Sequence, residues 1–257
     1  MKNNIKYNWM AGPRYLCRRH LVLKIIDEIK PKNILEIGFG GGDLIKILNK
    51  KGYSGTGLDF SKEACENIKE QFKNKKLNFR IENNADGDLN EEKEKFDTVM
   101  AFEVLEHIEK DKGSLIKWNS LLTVGGFLLL SVPAHMKKWS ATDDFVGHIR
   151  RYEKKELVEI LSNANFDIVK FYSYGYPVIN LAEYFKKHFL KNKIKKELSS
   201  TDRTKESGKG LASFSFGKYL FNDICLFPIY LIQNIFLNKD FGDGYLVLAK
   251  KITNAKT

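Results

Sequence analysis

A chain of 257 residues, 43% of them hydrophobic, can bury a full core as one α/β domain with an elaboration, and needs no disulfide staple. Its three cysteines, Cys17, Cys65 and Cys225, are far apart and form no C-x-x-C pair, which argues against a disulfide framework or zinc site and suits a reducing, cytoplasmic setting. The formal charge of +11 invites an anionic partner, but the lysines are scattered and outnumber the arginines, so charge alone does not select nucleic acid.

Met1 to Trp9 lacks the apolar core of a signal peptide. No segment approaches the ~18 apolar residues of a membrane span, and no internal repeat is found. Between Asn8 and Ile29, Pro13 can open a helix whose Leu16, Leu21, Leu23, Ile25, Ile26 and Ile29 line one side. Tyr7, Trp9, Arg14, Tyr15, Arg18 and Arg19 crowd its start. A short apolar run then follows, Ile34, Leu35 and Ile37, which suits a strand buried on both faces. Gly38, Gly40 and Gly42 come next, and Leu44, Ile45, Ile47 and Leu48 return at helical spacing. Strand, glycine turn and helix open a nucleotide-binding α/β fold. A dinucleotide fingerprint would need glycine where Asp43 stands. Glu36, two residues before the first glycine, would repel a pyrophosphate but can attract a cationic amino-acid group.

Tyr53 to Phe60 is predicted as the second strand. Asp59 at its end can accept both hydroxyls of a ribose. Ser61 is a candidate N-cap for a helix carrying Ala64, Ile68 and Phe72. Leu77 to Ile81 alternates as a third strand. Phe96 to Phe102 is the fourth and continues as Glu103-Val104-Leu105-Glu106-His107-Ile108. On a helix, Glu103, Glu106 and His107 would share one face. A turn at Leu121 to Gly126 leads to a fifth strand, Phe127 to Val132. The next block, from Trp139, reaches Gly147-His148-Ile149-Arg150-Arg151-Tyr152 and enters a helix, Glu153 to Ala164. Phe166 to Tyr174 and Phe241 to Lys250 read as strands six and seven.

Glu36-x-Gly38-x-Gly40-x-Gly42 resembles motif I of the class I S-adenosylmethionine-dependent methyltransferases. The Glu103 to Ile108 run resembles the small-molecule methyltransferases of quinone biosynthesis, and the Gly-His-x-Arg-Arg-Tyr run resembles a bacterial branch of them. The resemblance covers most of Asn33 to Tyr176 and resumes at Phe241. It implies a Rossmann-like, seven-stranded sandwich with the last strand antiparallel, an N-terminal lid over residues 1–30, and a methyltransferase domain formed by residues 1–176 and 241–257. Residues 177–240 would be a helical cap insertion. The implied cofactor is S-adenosylmethionine, leaving S-adenosylhomocysteine. Glu36, Gly38, Gly40, Gly42, Asp59, Phe60 and Phe102 are its candidate contacts, with Asp86 and Gly87 at the adenine and Asp88 as an alternative to Asp86.

The loop beyond the fifth strand is where acceptors gather in such folds. His148 is the first candidate for a general base and His135 the second, because an imidazole can take a hydroxyl proton. Arg150, Arg151, Tyr152 and Tyr15 are candidate acceptor contacts. Some quinone O-methyltransferases bind a divalent cation through a set like Glu103, Glu106 and His107, and oxygen ligands would suit magnesium. Many relatives with this run are metal-free, so no metal is assigned.

The expected acceptor is a small molecule, a sugar or a lipid-linked intermediate, methylated on oxygen. The fourth strand lacks an N-P-P-Y-like tetrapeptide, and no cysteine lies between Cys65 and Cys225. Both absences speak against a nucleic-acid substrate, although an RNA methyltransferase stays an alternative, as does a non-catalytic cofactor-binding scaffold. The insertion has a basic helical part, Leu181 to Leu198, a loop at Ser199 to Gly210, and an apolar part, Leu211 to Leu237, broken by Pro228. It could cover the acceptor site, form a dimer surface, or lie on the inner face of a membrane. The oligomeric state is not legible.

Overall fold

A computed structural model describes residues 11–84, 93–189 and 223–252. Helix α1 spans Pro13–Ile29. Pro13 opens it where a missing N–H leaves no bond unmade, and Lys30 closes it in the left-handed region. Strand β1 is Ile34–Ile37, α2 is Asp43–Lys50 and β2 is Gly55–Asp59. Helix α3, Lys62–Gln71, is capped by the Ser61 side chain, which accepts from the Ala64 amide. The pattern continues with β3 at Phe79–Asn83 and β4 at Phe96–Phe102. Helix α4 is Asp111–Leu121 and β5 is Leu122–Pro133.

After β5 come α5, Ala141–Val146, and α6, Lys154–Asn163. Strand β6 is Phe166–Tyr174, α7 is Val178–Phe189, α8 is Asp223–Phe236 and β7 is Gly244–Lys251. The seven strands form one sheet in the order β3-β2-β1-β4-β5-β7-β6. Neighbours from β3 through β5 are parallel, while β7 lies antiparallel to both β5 and β6. This is the Rossmann-like sandwich with an antiparallel last strand.

Two apolar layers cover the sheet. One joins Leu35, Val99, Leu128 and Leu130 to Trp118, Leu157 and Leu161 of α4 and α6. The other joins Ile34, Met100, Leu129 and Leu248 to Ile25, Ile26, Ile45 and Ile68 of α1, α2 and α3. Consecutive residues of β5 point into opposite layers, which is why its sequence is an unbroken apolar run rather than an alternation. A third cluster, Leu16, Cys17, Ile179, Leu226 and Tyr230, fastens α1 to α7 and α8. The cap helices therefore rest on the N-terminal helix.

Several local expectations are corrected. Strand β5 begins at Leu122, with an irregular register against β4 where the turn was expected. A short helix, α5, stands in the expected loop, with Ser140 and Asp143 forming a capping box. Glu103, Glu106 and His107 do not share a helix face: Glu103 takes φ +57, and only Leu105–His107 turn, as 3-10. Helix α8 runs on through Pro228 rather than breaking there. The basic run from Lys191 to Lys196 and the loop Ser199 to Gly210 lie outside the described residues.

Candidate active site

At the carboxyl end of β1 the chain makes its glycine turn. Gly38, Gly40 and Gly42 all have positive φ, at 72°, 53° and 67°. A Cβ on Gly38 would fall 2.5 Å from the Val104 side chain, and one on Gly42 would overlap Ile68, so both positions require glycine for space as well as for backbone sign. Asp59, at the neighbouring end of β2, is buried. It accepts from the Gly40 amide at 2.8 Å through one oxygen and from the Ser61 amide at 2.8 Å through the other. Burial raises its pKa against those two bonds. Each carboxylate oxygen keeps a further lone pair, enough for two adjacent hydroxyls.

Glu36 is 4% exposed, and its Oε2 has no hydrogen-bond partner. Burial pushes the carboxyl up to about 8, with Arg18 opposing and Asp43 and Asp59 adding to the rise. An orphaned buried carboxylate oxygen beneath a glycine turn fits a cationic ligand group. The residues present thus fit a ligand with an ammonium group and a ribose. Helix α1 closes on this end. Tyr15 donates from Oη to Asp43 at 2.9 Å, Arg19 pairs with the same carboxylate at 2.7 Å, and the Arg18 guanidinium lies over Phe102, 5.4 Å from the ring centre.

Beyond β4 and β5 the polar groups form a connected lattice. Glu103 pairs with Arg14 at 2.7 Å and Arg18 at 3.2 Å, and accepts from Ser131 and Tyr174. Burial works against its charge, but Arg14, Arg18 and His148 outweigh it and hold the carboxyl at about 2. Glu106, 0% exposed, goes the other way: burial and the Glu103 charge raise its pKa well above the carboxylate range. Neither oxygen of Glu106 has a hydrogen bond. His148 Nε2 lies 3.5 Å from its Oε1. His107 donates from Nδ1 to the Gly147 carbonyl at 3.0 Å; burial, then His148, lowers it to about 4. Two neighbouring carboxyls whose pKa values are driven in opposite directions are a mark of acid–base sites.

His148 is held by Asp143, with Nδ1 2.8 Å from Oδ1. With Nδ1 donating to a carboxylate, Nε2 carries the free lone pair. Glu106, His107 and His148 bring three ligand atoms within 4.8 Å of one another. Two imidazoles and one carboxylate suit zinc better than magnesium. Glu103, which the sequence grouped with Glu106 and His107 without assigning a metal, is turned instead onto the arginines of α1.

The other sequence candidates divide sharply. Arg151 is corrected: it is buried, donating to Asp143 at 2.8 Å, the Ala134 carbonyl at 3.1 Å and Asp243 at 3.2 Å, so it is turned away from any acceptor. Tyr152 is corrected likewise, fully buried with its hydroxyl on Asp111 at 3.0 Å. Arg150 pairs with Asp111 at 2.6 Å from a half-exposed position. Tyr15 sits at the glycine-turn end through Asp43 rather than among the acceptor candidates. His135 is buried between Glu153, 3.1 Å from Nδ1, and Asp240, 3.4 Å from Nε2. Both of its ring nitrogens thus face carboxylates, and it clamps the start of α6 to the segment before β7. Phe60 is 38% exposed at the end of β2. Asp86, Gly87 and Asp88 lie outside the described residues. Asp143, Asp243 and Ser131 had no sequence signal beyond being polar.

A parallel sheet with a reversed last strand, a glycine turn after β1 and an acid after β2 define a class I S-adenosylmethionine-dependent methyltransferase. Comparison with known proteins agrees. The methyltransferase-domain family matches residues 10–170, more than half of the chain, and the chain belongs to that family. It is 30% identical over 136 residues to the ubiquinone biosynthesis O-methyltransferase of Coxiella burnetii (strain Dugway 5J108-111), a match covering 50% of this chain and 58% of that protein. It is 28% identical over 178 residues to the enzyme of the same name from Pelagibacter ubique, covering 61% and 72%. The chain thus spans little more than half the length of the first of these relatives. An S-adenosylmethionine dependent methyltransferase from Mesorhizobium loti superposes with a TM-score of 0.60 at 12% identity, over 93% of this chain and all of that one, a likeness of fold.

Proposed function

We propose that this methyltransferase acts on a hydroxyl oxygen of a small-molecule, sugar or lipid-linked acceptor, leaving S-adenosylhomocysteine. The observation that carries the reading is His148, an imidazole fixed at Nδ1 by Asp143, with its second nitrogen directed at a buried, unpaired carboxyl. Bound S-adenosylmethionine supplies a methyl group already activated on a sulfonium sulfur, so the protein contributes chiefly position and a proton acceptor. Glu36 would hold the ammonium end and Asp59 the ribose hydroxyls. His148 Nε2 would take the acceptor hydroxyl proton. The O-methyltransferase relatives support oxygen as the acceptor atom. Three free cysteines suit a reducing compartment.

A lipid-linked acceptor has one specific observation in its favour. Phe227, Leu231 and Ile235 of α8, spaced four apart, are exposed, and the sequence from Lys186 to Lys196 is rich in lysine. No helix among the described residues is long and apolar enough to cross a membrane, so contact would be at a surface.

Methyl-labelled S-adenosylmethionine incubated with host extract, then split into lipid, polysaccharide, small-molecule and nucleic-acid fractions, tests the reading. Label in one of the first three, absent with Asp59→Ala protein, supports it. Label in RNA would replace it. Donor binding without any transfer would favour a scaffold.

A further inference from the structure

The reading of His148 as base leaves open what makes one buried histidine a base and another, His135, a clamp. The difference lies in the carboxylate at Nδ1, an exposed one, Glu153, for His135 and a buried one, Asp143, for His148. We propose that Asp143 is a positioning residue of the acceptor site, fixing the tautomer and the direction of His148; the proposal rests on the reading of His148 given above.

Asp143 is 1% exposed and all its lone pairs are committed. Oδ2 accepts from the Ser140 amide at 2.8 Å and the Ser140 hydroxyl at 3.1 Å. Oδ1 accepts from Arg151 Nε at 2.8 Å and faces His148 Nδ1 at 2.8 Å. Four donors converge on one carboxylate, so it stays an acceptor at both oxygens. Burial alone would raise its pKa, but the bonds from His148 and Arg151 outweigh burial and hold it well below the carboxylate range. With Ser140 and Arg151 already donating to both oxygens of Asp143, the hydrogen between the two residues belongs to Nδ1. Nε2 is then the acceptor, and it is the nitrogen that faces Glu106.

The backbone enforces the same direction. The His148 amide donates to the Asp143 carbonyl at 3.0 Å, and the next amide, Ile149, donates to the Glu106 carbonyl at 3.1 Å. Gly147, at φ +79, makes the reversal that brings His148 back over Asp143. Arg151 in turn cannot move, being tied to the Ala134 carbonyl and Asp243. Both histidines have a carboxylate near each nitrogen, but those of His135, Glu153 and Asp240, are exposed, whereas His148 lies between two buried ones, Asp143 at 2.8 Å from Nδ1 and Glu106 at a looser 3.5 Å from Nε2. That asymmetry gives a preferred tautomer with an open acceptor nitrogen.

The test is nitrogen-15 NMR of the imidazoles in histidine-labelled protein, with His148 assigned by its loss in His148→Gln. Hydrogen on Nδ1 and none on Nε2 is the expected state. Hydrogen on Nε2 would overturn the proposal. In Asp143→Asn the tautomer should become mixed or reverse. Transfer to whichever fraction the wild-type protein labels should fall about 100-fold in kcat, with KM for the methyl donor unchanged. An Asp143→Asn protein that is less stable but keeps both the tautomer and kcat would show a merely structural acid and sink the idea. The two readings separate cleanly. Full kcat in His148→Gln defeats the base while leaving the tautomer result standing, and a base-dependent reaction indifferent to Asp143 defeats only the positioning. Should Asp143→Asn fail to fold, the wild-type spectrum still decides.

Discussion

Around Glu36 and Asp59 the polar groups come from β1, β2 and the turn between them, and the bond that joins Gly40 to Asp59 crosses 19 residues. Around Arg151 two partners are near in sequence, Asp143 at 8 residues and Ala134 at 17, but the third, Asp243, comes from 92 residues away. The first region keeps an unpaired carboxylate oxygen for something not of the protein. In the second, Arg151 and Asp143 are closed upon protein partners. One is built as a receptor and the other as a brace, so damage to them should show in different measurements.

The brace should give the largest effect. Arg151→Met removes the partner shared by two buried carboxylates, Asp143 and Asp243; His148 and Arg14 stay beside them, so the cost falls at the low end of a broken buried pair, about 3 kcal/mol. Calorimetry should show Tm lower by on the order of 10 °C, while isothermal titration finds methyl-donor affinity close to that of the wild type. Asp59→Ala should do the reverse. Removing a charged acceptor from the glycine turn weakens donor binding by about 2 kcal/mol, roughly thirtyfold, with a smaller change in Tm. If Arg151→Met abolished donor binding, the two regions would be one energetic unit and the contrast would fail.

Much of this division was legible beforehand, for a physical reason. The receptor is local: three glycines, an acid before them and an acid one strand later state it in a single stretch. The sheet, too, follows from apolar runs and turns. The brace is a tertiary fact. Arg151 and Tyr152 look like ligand-binding groups because they are polar and adjacent to His148; only the fold reveals that their partners, Asp243 and Asp111, wait inside. Glu103 was misplaced because its positive φ breaks the helical spacing that its sequence suggests. Asp143 had no signal at all, since one acid among several in a polar block carries no register.

Glu36→Gln sharpens the comparison through pH, with no effect near pH 5 and a large one only at pH 9. The unfolded chain gives up the Glu36 proton near 4.5, while the folded one keeps it to about 8. Folding therefore favours proton uptake, and wild-type stability falls as pH rises through that window and levels off above it. Glutamine has no charge to bury. The variant should match the wild type near pH 5 and exceed it at pH 9, by up to about 3 to 5 kcal/mol at about 1.4 kcal/mol per unit. Saturating methyl donor should narrow the gap at pH 9 by supplying a cation to the carboxylate. A pH-independent difference in Tm would contradict a buried, protonated Glu36. The smallest effect belongs to Arg150→Ala. Its pair with Asp111 is half-exposed and Tyr152 still donates to that acid, so thermal melts should show a loss of about 1 kcal/mol or less.

Helix α1 is the first described element, yet two of its partners arrive near the far end of the chain. Arg19 bonds to Asp223 across 204 residues, and Gln233 donates to the Cys17 carbonyl across 216. On a ribosome adding about 5 to 20 residues each second, that helix waits at least some ten seconds for this last part of its seat, Leu16 and Cys17 meanwhile lacking their α8 partners. The glycine turn can fold while synthesis continues, but the helix that closes over it cannot be fastened until the chain has been made past Gln233. Readiness for the methyl donor is thus timed by translation, and a nascent chain halted before α8 should hold the donor loosely or not at all.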